Sequence, residues 1–252
     1  MSFPDVSPLR INKAKDIGRL HQRKFRQELG LYIVEGSKGV AEALASPSQV
    51  ECIVASQEWI GEHPEATAAT PCFIATDMQL KALSQLATPP GCLAVICQVK
   101  AELSIVQSYV YCDGIADPGN MGTIIRTADW FGVKGIILGA NTVDAYNPKT
   151  VQAAMGSLFR ADIIGDAGDC LPMLAAAGYD LIATDQHATR GMRKNGAPFC
   201  LLMGSESHGL SAAIRQKATI FYGIPQIGGA ESLNVGAATG AILYDLCSLQ
   251  LS

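Results

Sequence analysis

The sequence predicts an α/β protein whose larger part is a parallel sheet, with a smaller α/β domain ahead of it. Three observations carry this expectation. Short apolar runs alternate with stretches of helical spacing along the whole chain. In the second half the runs are continuous, as in strands buried on both faces. Glycine-rich polar loops follow several of them, and alternating strand and helix patterns imply right-handed crossovers between parallel strands.

Taken in order, the strand-like runs of the first half are "LYIVEG", "VECIVAS", "PCFIATD" and "CLAVICQV". Between them "SKGVAEALAS", "QEWIGEHPE" and "DMQLKALSQLA" space their apolar residues as helices do. This reads as a domain of about four strands over residues 1–103, closed by the linker "VKAELS". Residues 104–252 begin again with "YVYCDG", followed by "KGIILGA", "ADIIG", "YDLIATD", "FCLLMG" and "TIFYGIP". Helical patterns separate these runs, and the last helix runs through "VGAATGAILYDLCSLQL". In such sheets ligands bind at the loops beyond the carboxyl ends of the strands.

Composition narrows the function. No stretch approaches the apolar length of a membrane span, and the start "MSFPDVSPLRINKAK" lacks the apolar run of a signal peptide, so a cytoplasmic location is expected. Five of the eight cysteines (Cys52, Cys92, Cys97, Cys112 and Cys200) lie in apolar strand-like runs, and no C-x-x-C pair occurs, so neither a metal site nor a redox dithiol is expected. The net charge of −4 hides a local excess. Arg10, Lys13, Lys15, Arg19, Arg23, Lys24 and Arg26 stand against one acid, Asp16. Such a run is either a solvated helix face or a strip suited to a phosphate backbone.

Three loops hold residues that packing alone does not require: 113–132, 203–211 and 224–240. In the first, Asp117-Pro118-Gly119 makes a turn and Asn120 is a candidate helix cap. That leaves Arg126, about two turns into the helix beside Ile124 and Ile125, as a guanidinium in need of an anion. The second contains Ser205, Ser207 and His208 but not the G-x-S-x-G elbow of a serine hydrolase, and adjacent Ser207 and His208 make a poor nucleophile–base pair. Glu206 is the residue of interest there, unless it caps the next helix. Neither G-x-G-x-x-G nor a G-K-[ST] phosphate loop is present.

Together the loops give Asp117-x-x-Asn120-x-Gly122-x-x-x-Arg126-Thr127-Ala128, then Gly204-x-Glu206-x-x-Gly209, then Ile224-Pro225 with Ser232-Leu233-Asn234-Val235. This ordered triple resembles the motifs of the SpoU/TrmH family of RNA 2′-O-ribose methyltransferases, in the SPOUT superfamily. The resemblance extends to "RKFRQELGLYIVEG", which looks like that family's substrate-binding module, related to RNA-binding ribosomal proteins. It implies a C-terminal parallel sheet with a deep trefoil knot holding S-adenosylmethionine. The cofactor contacts would be Gly204, Ile224, Leu233 and, less specifically, Thr184. Arg126 would be the key residue of methyl transfer, with Asn120, Glu206, Ser232 and Asn234 positioning it and the ribose. The partner implied is RNA, ribosomal rather than transfer RNA, met by Arg19, Arg23, Lys24 and Arg26. "RGMRKNG" (190–196) is a second candidate contact. A homodimer through the knotted domain is also implied, with no metal and no membrane. The alternatives are a tRNA enzyme of the same family and a non-catalytic RNA-binding protein of the same fold. Two positions depart from the family pattern, Gly236 and Met155, each where serine is common.

Overall fold

The structure, a computed structural model, describes residues 6–68, 70–185, 188 and 198–248. The segment 190–196 lies outside the described residues. The strands are β1 (Val6–Pro8), β2 (Leu31–Glu35), β3 (Val50–Ala55), β4 (Cys72–Ile74), β5 (Cys92–Cys97), β6 (Tyr109–Asp113), β7 (Gly135–Leu138), β8 (Asp162–Gly165), β9 (Asp180–Thr184), β10 (Phe199–Gly204) and β11 (Ile220–Tyr222). The helices are α1 (Ile11–Arg19), α2 (Arg23–Leu29), α3 (Ser37–Leu44), α4 (Gln57–Glu62), α5 (Pro64–Thr67), α6 (Asp77–Leu83), α7 (Pro118–Trp130), α8 (Pro148–Ala154), α9 (Cys170–Ala176), α10 (Ala212–Arg215) and α11 (Val235–Ser248). The chain divides into two compact units: Met1–Val99 with Tyr146–Phe159, and Lys100–Ala145 with Arg160–Ser252.

The first unit carries a five-stranded sheet in the order β1-β4-β3-β5-β2. β5 runs antiparallel to both β2 and β3, whereas β4 is parallel to β1 and β3. Four of these strands match the expected runs. The fifth, β1, is three residues long, too short to show a period. Residues 146–159 sit with this unit because α8 packs against β2 and the Tyr146 ring lies 4.8 Å from that of Tyr32.

One expectation is corrected in this unit. Arg26 is buried, at 2% exposure, and its Nη1 donates to the carbonyls of Leu20 at 2.8 Å and His21 at 2.9 Å. Helix C-termini leave carbonyls without intrahelical partners, and the guanidinium satisfies two of them just past the end of α1. Arg26 therefore holds α1 to α2, and its buried guanidinium is not part of an exposed basic strip.

The second unit is a six-stranded sheet in the order β11-β9-β10-β6-β7-β8, parallel at every pairing. All six expected runs are strands. The central pair, β6 and β10, is buried throughout, which is why "YVYCD" and "FCLLMG" read as continuous apolar runs. Burial pushes the thiol of Cys112 up to about 12, so it packs as a protonated hydrophobe.

Chain order in this sheet reverses between β6 and β10. From β6 the chain builds outward through β7 to β8; the later strands β10, β9 and β11 lie on the other side. The crevice at such a reversal, beyond the carboxyl ends of the strands, is where open parallel sheets bind ligands. β6 ends at Asp113 and β10 at Gly204, so two of the three motif loops leave from this point. Asp113 is itself buried, and its Oδ2 accepts from the backbone N–H of Ser211 at 2.7 Å, tying one loop to the other.

Small residues in the third motif bring α11 onto α7. A Cβ on Gly236 would lie 2.6 Å from the Thr123 methyl, and one on Gly240 would lie 3.7 Å from that of Thr127. Glycines four apart on one helix thus face threonines four apart on the other, which permits close backbone passage. Gly236 now has a physical reason: the space a serine side chain needs is taken by Thr123. Met155 adopts a left-handed conformation, φ 47°, at the end of α8.

Candidate active site

The first motif loop leads into α7. Asp117, not Asn120, is the N-cap: its Oδ1 accepts from the Asn120 N–H at 2.7 Å, and Pro118 opens the helix. The Asp-Pro pair was the available signal for this cap. Its consequence is functional, because Asn120 sits inside the first turn with its amide released from capping duty.

The second loop is a tight reversal closed by Ser205 N–H to Gly209 O at 3.0 Å and Gly209 N–H to Ser205 O at 2.8 Å. Gly204 is required by crowding. A Cβ there would come within 2.1 Å of the Gly209 carbonyl carbon and 2.2 Å of the Leu210 nitrogen. What approaches Gly204 closely is the chain's own backbone. Glu206 sits at the tip of this reversal and is exposed. It does not cap α10, whose N-cap is Ser211. Ser207 Oγ and His208 Nδ1 do lie 2.7 Å apart, the short contact that sequence adjacency made doubtful.

In the third loop, Asn234 Oδ1 accepts from the N–H groups of Gly236 at 2.9 Å and Ala237 at 3.3 Å, capping the first turn of α11. Its Nδ2 then donates to Asn120 Oδ1 at 2.8 Å and Glu206 Oε1 at 3.1 Å. Asn120 Nδ2 donates to the same Glu206 oxygen at 2.5 Å. Three side chains, one from each motif and up to 114 residues apart, close into a single hydrogen-bonded cluster.

Beside Glu206 lies a cavity of about 800 Å³ with Thr184, Gly204, Ile224, Ser232 and Leu233 in its wall. Buried Val235, the last residue of the third motif, and Ile242, beyond it on α11, add apolar surface to which no role was assigned. The pattern that could have found them is the apolar spacing along the last helix. The size and the mixture of apolar wall with a few polar groups suit a nucleoside-sized ligand. Leu233 is 53% exposed, apolar surface open for an aromatic ring to cover. The residues present therefore fit an adenosine-bearing cofactor.

Arg126 stands about two turns into α7. Its neighbours Ile124 and Ile125 are fully buried, but Arg126 itself is exposed and is not among the residues lining the cavity. It shares the outer side of α7 with Trp130, four residues on. In the first unit, Arg19, Arg23 and Lys24 are exposed.

Residues 107–244 match the family model described as the SpoU rRNA methylase family, and residues 12–94 match the MRM3-like substrate binding domain. A 23S rRNA guanosine 2′-O-methyltransferase of Bacillus subtilis is 32% identical over 245 residues, covering 93% of this chain and 95% of the relative. Among solved structures, an AdoMet-bound rRNA methyltransferase from Sinorhizobium meliloti is 31% identical. It covers 98% of this chain and 100% of its own, at a TM-score of 0.84. The SpoU methyltransferase AviRb from Streptomyces viridochromogenes, in complex with AdoMet, is 28% identical, covers 96% and 99%, and gives 0.83. With the three motifs joined at the sheet's reversal and more than half its length matched, the chain belongs to the SpoU rRNA methylase family.

Proposed function

We propose that this protein methylates the 2′-hydroxyl of a ribose in ribosomal RNA, with S-adenosylmethionine as donor. The observation that carries it is the Asn120–Glu206–Asn234 cluster beside the 800 Å³ cavity at the sheet's reversal. The cofactor, when bound, supplies a methyl group activated on a sulfonium. What remains for the protein is alignment, charge stabilisation and loss of one proton.

Ile224 and Leu233 form the apolar wall for the adenine, and Thr184 and Gly204 bound the same cavity. Asn120, Glu206 and Asn234, locked to one another, leave no rotamer freedom to be lost when the ribose arrives, and Ser232 adds a hydroxyl at the rim. Methyl transfer would exchange the ribose O–H bond and the donor's C–S bond for an O–C bond, with Asn120, Glu206 and Asn234 holding the ribose for it. Arg126 keeps its own proton throughout. Its guanidinium holds the substrate phosphate and stabilises the developing alkoxide, and the proton passes to solvent.

The same reading includes a trefoil knot in the second unit. It is supported by the tight passage at Gly223, where a Cβ would meet the Ala188 carbonyl, and by the close packing of Gly236 on Thr123. It also includes a homodimer. Trp130 is 84% exposed at the end of α7 and Tyr244 is 66% exposed on the adjoining α11, and a second copy covers this aromatic face, Arg126 beside it. Light scattering on the full chain should return twice the chain mass; a monomer at working concentration removes this part. Cys52, Cys72, Cys92, Cys112 and Cys200, buried in strands as thiols, suit the cytoplasm.

The deciding experiment supplies tritiated S-adenosylmethionine and total RNA from a strain lacking the protein. Label should enter ribosomal RNA and survive alkali as a 2′-O-methyl dinucleotide. Label on a base, or in tRNA alone, defeats the proposal.

A further inference from the structure

We infer that the first unit grips unpaired RNA nucleotides, one of them stacked at Phe25, through a trough along α1. The inference rests on the proposal that the substrate is RNA, and names the form of RNA the unit takes.

The trough has a volume of about 610 Å³ and is lined by Asn12, Lys15, Asp16, Gly18, Arg19 and Gln22. Its chemistry is mixed in a telling way. A groove that only tracks phosphates presents cations. Here exposed Asp16 stands 3.6 Å from Arg19, and a carboxylate repels a phosphate while accepting from a base amino group or a ribose hydroxyl. Asn12 and Gln22 each present an amide with donor and acceptor, the pattern that pairs with base edges. The Watson–Crick edges and the faces of bases are open only where the strand is unpaired; in a duplex the RNA major groove is too narrow for side chains to read, and the shallow minor groove shows 2′-hydroxyls and the remaining edges without a face to stack on.

Phe25 adds the stacking surface. It is half-buried on α2, between exposed Lys24 and buried Arg26. The Arg19 guanidinium lies 5.1 Å from its ring centroid and the Lys24 ammonium 5.9 Å. Arg19 belongs both to the trough and to this pair, so one side chain joins the trough to the ring. A planar guanidinium against a phenyl ring is a platform on which any base can stack, and aromatic rings interleaved with cations are how proteins hold single strands. Arg10, Lys15, Arg23 and Lys24 supply backbone charge around it.

The test uses the full chain and two labelled probes: a short single-stranded oligoribonucleotide of mixed sequence, and the blunt duplex made with its complement. Fluorescence anisotropy across a salt series should show wild type preferring the single strand. Phe25→Leu, which keeps bulk but loses the aromatic face, should weaken the single strand about tenfold and leave the salt slope unchanged. Phe25→Trp should keep the affinity, which separates stacking from folding. Arg23→Ala with Lys24→Ala should instead flatten the slope, by roughly 0.7 for each phosphate left without its cation. Single-strand affinity unaltered in Phe25→Leu, or an equal loss on the duplex, overturns the inference while leaving RNA as substrate. Wild type binding neither probe overturns it together with the RNA role of this unit.

Discussion

Replacing Arg126 by alanine abolishes methyl transfer, by roughly a hundredfold or more in turnover, and leaves the affinity for S-adenosylmethionine nearly intact. The loss of turnover follows from the chemistry of the guanidinium, and the retained affinity from where the residue stands. Arg126 is exposed on α7 and is not among the described residues that line the cavity, so its removal leaves their wall in place. Its fork of donors is what a phosphate and a forming alkoxide need, whereas Asn120, Glu206 and Asn234 bring amides and a carboxylate. Arg126→Lys should restore little, because a point charge does not reproduce the bidentate geometry. Isothermal calorimetry and a filter-bound methylation assay on the same preparations decide the matter. Calorimetry showing lost cofactor binding would place Arg126 in the cavity and withdraw the assignment.

The second unit was legible in the sequence because both faces of its sheet are buried, so each strand is a bare apolar run between loops. The candidate site was legible because Glu206 and Asn234 fall in glycine-rich loops and Asn120 at a helix start, where packing does not require them. What the sequence left open was set by contacts between distant segments. Asn120 reads equally well as a helix cap until Asp117 is seen to hold that post. Arg26 looks like one more cation of a basic strip; its burial depends on a helix end six residues earlier, which no local pattern reveals. Gly236 looks like a lost hydroxyl until Thr123, far back along the chain, fills the space.

The same distinction between local pattern and distant contact governs Gly204. Its substitution by alanine is expected to cost cofactor binding and turnover together. Gly204 does not have the positive φ that makes many glycines irreplaceable; crowding alone fixes it. A methyl group 2.1 Å from the Gly209 carbonyl carbon and 2.4 Å from its oxygen meets backbone, which cannot rotate aside as a side chain could. The reversal from Ser205 to Gly209 must move outward, and its two closing hydrogen bonds lengthen or break. Overpacking of this kind costs about 1–3 kcal/mol, a fall of several degrees in Tm. The functional loss is larger. Glu206 rides on that reversal, so a displacement of about 1 Å carries it off both Asn120 and Asn234, and misplacement on that scale lowers rates by about a hundredfold. Gly204 also lines the cavity, and cofactor affinity should drop by about tenfold as its wall shifts. Gly165→Ala is the matched control, since a Cβ there meets nothing within 4 Å. Calorimetry that finds Gly204→Ala binding cofactor as wild type does, at an unchanged Tm, would mean the reversal does not frame the cavity. Glu206 would then owe its position to Asn120 and Asn234 alone.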